Sequence, residues 1–97
     1  MRVLLVCGGG MSTSILAVRM RNECGPGDAV DAVGLYELEA KIDHYDVVMI
    51  GPQIGFEIKR IEAITVPRRK KFEIIERRTY GMMDGKSVMD RARALLA

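Results

Sequence analysis

The sequence predicts an α/β fold: a three-layer, doubly wound domain with a four-stranded parallel sheet and helices on both faces. Three observations carry this. Apolar runs of strand length alternate with amphipathic segments of helix length along the 97 residues. The run Asp46-Val47-Val48-Met49-Ile50-Gly51 is continuously apolar after its first residue, as a strand covered on both faces must be. The connections are short, which calls for helical crossovers, parallel strands and right-handed units.

Each element has its own signal. Arg2 to Cys7 reads as the first strand, and Thr13 to Cys24 as a helix stopped by Gly25-Pro26-Gly27-Asp28. Ala29 to Gly34 is a second, weaker strand. Leu35, Leu38 and Ile42, at i, i+3 and i+7, give a short helix. The central strand Asp46 to Gly51 is followed by the turn Gly51-Pro52-Gln53, and Ile54, Ile58 and Ile61 then mark a third helix. Phe72 to Ile75 is the fourth strand, Glu76 to Gly85 a loop, and Val88, Ala92, Leu95 and Leu96 are the apolar stripe of the last helix.

Length and composition predict one domain, residues 1–97, with a single small site. A hydrophobic content of 48%, a charged content of 29% and a net charge of +2 are ordinary for a globular protein and give no reason to invoke nucleic acid. Met1 to Cys7 superficially resembles a lipoprotein leader, but its apolar stretch is shorter than the roughly 7–15 residues such a segment needs. Nothing approaches the ~18 apolar residues of a membrane span, so a soluble, cytoplasmic protein without membrane insertion is expected. Cys7 and Cys24 fall near opposite ends of the first helix, too far apart to bridge. Cys24 reads as a partly buried, plain thiol.

In open parallel sheets, ligands bind beyond the carboxyl ends of the strands near the topological switch point. That places the candidate site at Cys7 and the loops after Ile50 and Ile75. Cys7-Gly8-Gly9-Gly10-Met11-Ser12-Thr13-Ser14 delivers a thiol to a glycine-rich turn at a helix N-terminus. Such a turn cradles anions with backbone N–H groups and favours thiolate over thiol. The hydroxyls of Ser12, Thr13 and Ser14 are expected to add to the cradle. Gln53 and Tyr80 lie on loops near Cys7 as supporting or docking candidates, with Arg77 and Arg78 on the same side. His44 precedes the third strand and belongs at the far end, as does the basic run Arg68-Arg69-Lys70-Lys71, which reads as a solvated edge.

Several chemistries are disfavoured. A Walker loop needs Gly-Lys-Ser/Thr where this chain has Gly-Met-Ser. The dinucleotide pattern fails at Thr13, and no acidic residue ends the second strand. No C-x-x-C is present, and one histidine with two distant cysteines builds no ordinary zinc site. Cysteine-dependent phosphatases carry an arginine six residues after the nucleophile; Thr13 stands there instead. A thiol that can accept a phosphoryl group without the apparatus to hydrolyse it suits a carrier, while an anion-sensing module and a small phosphatase remain alternatives.

The cysteine loop, the stretch Asp46 to Ile54 with its Gly-Pro-Gln-Ile turn, and Tyr80-Gly81 followed by Asp84-Gly85 closely resemble the enzyme IIB components of the lactose/cellobiose/chitobiose branch of the phosphoenolpyruvate-dependent sugar phosphotransferase system. The resemblance spans nearly the whole chain. It implies a phosphotyrosine-phosphatase-like topology and a cytoplasmic phosphotransferase without a cofactor or a metal. Cys7 would form a phosphocysteine, taking its phosphoryl group from a phosphohistidine on a IIA partner. The group would pass to a sugar such as cellobiose or lactose held by a membrane IIC permease. Gly8, Gly9, Gly10, Met11, Ser12, Thr13 and Ser14 would hold the phosphate, and a monomer exchanging partners is expected.

Overall fold

The computed structural model describes residues 1–8 and 11–97, with Met11 and Ser12 described by backbone only. Four strands, β1 (Arg2–Cys7), β2 (Ala29–Gly34), β3 (Val47–Ile50) and β4 (Lys71–Ile74), form one sheet in the order β2-β1-β3-β4, with every pair parallel. The helices are α1 (Met11–Arg21), α2 (Leu38–Lys41), α3 (Ile58–Thr65), α4 (Arg77–Gly81) and α5 (Gly85–Leu96). Short 3-10 turns flank α2 at Leu35–Glu37 and Ile42–His44, and a longer 3-10 segment, Pro52–Glu57, precedes α3.

Strand alternation builds the three layers. Val3, Leu5 and Cys7 of β1 join Val47 and Met49 of β3 in a core with Leu16, Ala17 and Met20 of α1 and Val88, Met89 and Ala92 of α5. Leu4 and Val6 with Val48 and Ile50 face the other way, onto Leu38, Ile42, Ile54 and Ile61. β1 and β3 are therefore sealed on both faces, which is why both read as unbroken apolar runs. β4 is an edge strand whose residues are only partly covered.

The predicted fold class is correct, and most departures are shifts of boundary. α1 ends at Arg21, three residues short of the expected Cys24, and closes in a turn in which the Cys24 N–H donates to Arg21 O. Gly27, at φ 83°, then turns the chain toward β2 through a backbone conformation that favours glycine. β3 and β4 begin and end within one residue of expectation. Ile54 lies in the 3-10 segment before α3, because Pro52 opens a tighter turn there. One expectation fails: Glu76 to Gly85 is not a loop but contains α4, so Tyr80 sits on a helix. With five residues and one buried side chain, α4 is too short to show a periodic apolar stripe.

Helices α1 and α5 meet at Gly85. A Cβ there would stand 2.4 Å from the backbone carbon of Arg19 and 2.5 Å from the nitrogen of Met20, so only glycine permits this approach. Asp84 N-caps α5, accepting from the Ser87 N–H at 3.1 Å and from its hydroxyl at 2.7 Å. No helix among the described residues is long and apolar enough to cross a membrane.

Candidate functional site

The switch point of the sheet lies between β1 and β3, because the crossovers leave β1 for β2 on one side and return to β3 on the other. Cys7 ends β1 at that point. The Gly51 N–H continues the ladder, donating to Val6 O at 2.7 Å, and this sets Gly51 beside the cysteine. A Cβ on Gly51 would lie 2.9 Å from Cys7 Sγ and 2.7 Å from Gln53 Oε1. The missing side chain thus admits both the sulfur and the folded-back carboxamide of Gln53 into one small space.

Cys7 is wholly buried, at 0% exposure. Beneath the sulfur, the buried hydroxyls of Thr13 and Tyr80 face each other at 3.5 Å. Burial pushes the Cys7 thiol pKa above its ordinary value. The Thr13 hydroxyl, then the Tyr80 hydroxyl, then the Gly51 N–H pull it back part of the way. Among the described groups, desolvation of the charged form outweighs the dipoles beside the sulfur, so these groups alone do not supply the thiolate expected of the loop.

The structure brings some of the predicted residues together and separates others. Gly8 is exposed, directly after the cysteine. Thr13 turns its hydroxyl inward to Tyr80, whereas Ser14 is exposed on the outer face of α1 with Ile15 and Val18, its hydroxyl away from the cysteine's buried surroundings. Gly9 and Gly10, and the side chains of Met11 and Ser12, lie outside the described residues. Gln53 and Tyr80 are both beside Cys7. They also line a shallow cleft of about 350 Å³ with Pro52, Phe56, Arg77 and Gly81. Phe56, 82% exposed at this cleft, is not singled out by sequence; a lone aromatic after the turn gives no periodic signal. Arg77 and Arg78 are exposed and form no ion pair among the described residues.

His44 is exposed just before β3, at the opposite end of the sheet. Arg68, of the basic run, ties α3 to the α2 region: it pairs with Glu39 at 3.5 Å and Asp43 at 3.7 Å and donates to Ile64 O at 2.9 Å. Cys24 is half-buried and free, its Sγ 3.8 Å from Met20 O. Among the described residues, no group of three metal-ligating side chains converges.

A parallel α/β sheet with a buried thiol at its switch point, ahead of the N-terminus of α1, belongs to the class of open α/β sheets that take ligands beyond the carboxyl ends of their strands. Comparison with known proteins narrows the class. Residues 2–91 match the family described as "PTS system, Lactose/Cellobiose specific IIB subunit", and the chain belongs to that family. It is 32% identical to the oligo-beta-mannoside-specific EIIB component of Bacillus subtilis, covering 98% of this chain and 95% of that one. It is 33% identical to the cellobiose-specific EIIB component of Lactococcus lactis, covering 97% and 94%, and 32% identical to a galactose-specific EIIB component of the same species over the same shares. The solution structure of a cellobiose-specific IIB component from Borrelia burgdorferi superposes with a TM-score of 0.81 at 38% identity, covering 98% of this chain and 90% of that one. The lactose-specific IIB domain from Streptococcus pneumoniae shares the fold, with a TM-score of 0.78 at 15% identity over 99% and 94%. The protein is a IIB component of a sugar phosphotransferase system.

Proposed function

We propose that Cys7 is the phosphoryl acceptor of this IIB component: it takes the group from a phosphohistidine on a IIA partner and yields it to a sugar bound by a membrane IIC partner. The observation that carries this is the position of the thiol, at the carboxyl end of β1 and at the switch point, with His44 at the opposite end. The donor histidine must then belong to another protein. We place the reaction in the cytoplasm, with residues 1–97 acting as one monomeric unit that exchanges partners.

The buried thiol suggests how protons balance. The phosphorus–nitrogen bond of the donor breaks as the sulfur–phosphorus bond forms, and the thiol proton passes to the departing imidazole. In the second transfer, the sulfur–phosphorus bond breaks as the bond to the sugar oxygen forms, and the sugar's hydroxyl proton restores the thiol. A thiol can therefore give and recover its proton within the two transfers, without a separate base. Backbone N–H groups of the turn from Gly8 through Gly9, Gly10, Met11 and Ser12 to Thr13 and Ser14, with Gln53 at the side, hold the phosphoryl oxygens. Thr13 stands where cysteine-dependent phosphatases carry their arginine, which supports a group that stays transferable. Relatives of nearly equal identity are named for oligo-beta-mannoside, cellobiose and galactose. That spread supports a sugar choice made mainly by the membrane partner, with cellobiose and lactose among the candidates for this chain.

Incubation with a phosphorylated IIA protein is expected to add one phosphate mass to the Cys7 peptide, labile to iodine, and none to Cys7→Ser. Phosphate on His44 instead would refute the scheme. Anion binding without a covalent adduct would favour a sensing module, and turnover of a phosphate ester a phosphatase.

A further inference from the structure

Tyr80 is the residue on which the buried surroundings of Cys7 and the surface cleft converge. Its hydroxyl lies 3.5 Å from Thr13 Oγ1 in the core that also contains Cys7, and its ring forms part of the cleft wall with Gln53, Phe56 and Arg77. A tyrosine packed so deeply, at 8% exposure, usually places its hydroxyl on a partner. Here the partner is a second hydroxyl whose own helix begins at the cysteine loop. We propose that Tyr80 is a positioning residue for phosphoryl acceptance, acting together with Thr13 to hold the sulfur of Cys7 in place and to stabilise the negative charge it gains as its proton leaves. This rests on the reading of Cys7 as the acceptor.

The groups packed around the sulfur support that role. They are the Thr13 hydroxyl from α1, the Gly51 N–H and Gln53 carboxamide from the segment after β3, and the Tyr80 hydroxyl from α4. All are neutral; Arg77 is the charged side chain that the described cleft presents beside Tyr80. Thr13 and Tyr80 are the side-chain hydroxyls acting on the thiol, both in the direction of ionisation. With no cation against the sulfur among these groups, removing one of two hydroxyls is a large fraction of what favours the charged form.

The test compares the wild type with Tyr80→Phe, Thr13→Val and Thr13→Ser. Iodoacetamide alkylation is followed by peptide mass from about pH 7 to 10.5, with half-buried Cys24 as reference within each molecule. Tyr80→Phe and Thr13→Val are each expected to lower the Cys7-to-Cys24 rate ratio roughly 5–10-fold and to displace the Cys7 pH–rate curve to higher pH. Thr13→Ser, which keeps the hydroxyl, should preserve both, and Tyr80→Phe with Thr13→Val should fall short of additivity. Superimposable curves overturn the proposal. So does a uniform rise in Cys7 reactivity at every pH, the mark of loosened packing, and so does a Cys7 that fails to react in all four proteins. A shifted curve in a protein that accepts no phosphate from phosphohistidine would end the relay reading while leaving the Tyr80 assignment intact.

Discussion

The two ends of the sheet are finished in opposite ways. At the amino end of the strands, charges are paired and pinned: Asp28 holds the Met1 amino group at 3.0 Å and Arg93 at 3.2 Å, Asp46 accepts from the Arg2 N–H at 2.7 Å, and Tyr45 donates to Asp31 at 2.6 Å beneath the Arg2 guanidinium. At the carboxyl end, the described groups around Cys7 are neutral dipoles, and the arginines Arg77 and Arg78 are left exposed. One end closes the fold; the other, under the proposed transfer, receives a charge from outside. A fixed countercharge beside Cys7 would bind a phosphoryl group more tightly and release it more slowly.

Gly51→Ala gives the sharpest test of that division. Its Cβ would intrude within 3 Å of the sulfur, and phosphoryl acceptance is expected to fall at least about tenfold. Single-turnover phosphorylation checks this, and an unchanged rate would mean that the space over Gly51 is not used. Gly85→Ala lies between the ends and should act on stability alone, costing about 1–3 kcal/mol as α1 and α5 separate, measured as a lower urea midpoint. At the amino end, Tyr45→Phe is expected to cost about 1 kcal/mol and leave phosphorylation unchanged. A transfer defect in that variant would show that the ends are coupled.

The pH dependence separates the ends as well. Asp28 is held at about 2 by the Gly25 N–H first, then by the Met1 amino group and Arg93. Its folded pKa is below its unfolded one, so its contribution is complete above the ordinary carboxyl value near 4 and is lost as pH falls through about 2. Urea midpoints between those limits should decline less steeply in Asp28→Asn. The smallest effect belongs to His44→Ala, expected to stay within about 0.5 kcal/mol and without consequence for transfer.

Strands are the most legible part of the chain because β1 and β3 are buried on both faces. Cys7 was legible for the same reason, standing where a sealed strand meets a glycine turn. Helix α4 was not, since a single buried tyrosine in five residues carries no period, and with it went the environment of Tyr80. The upward push on the Cys7 thiol is not legible because the sequence displays the dipoles of the loop but not the depth of the sulfur. Ser14 differs from Thr13 by one residue along α1, enough to turn its hydroxyl from the core to solvent.

The complete burial of Cys7 has a consequence for survival under oxidative conditions. Peroxide attacks thiolates, and it attacks those it can reach. A sulfur enclosed between Gly51, Thr13 and Tyr80, its thiol pKa pushed up by burial, is a poor target on both counts, so under the proposed relay its oxidation to sulfenic acid is expected to be slow between one turnover and the next.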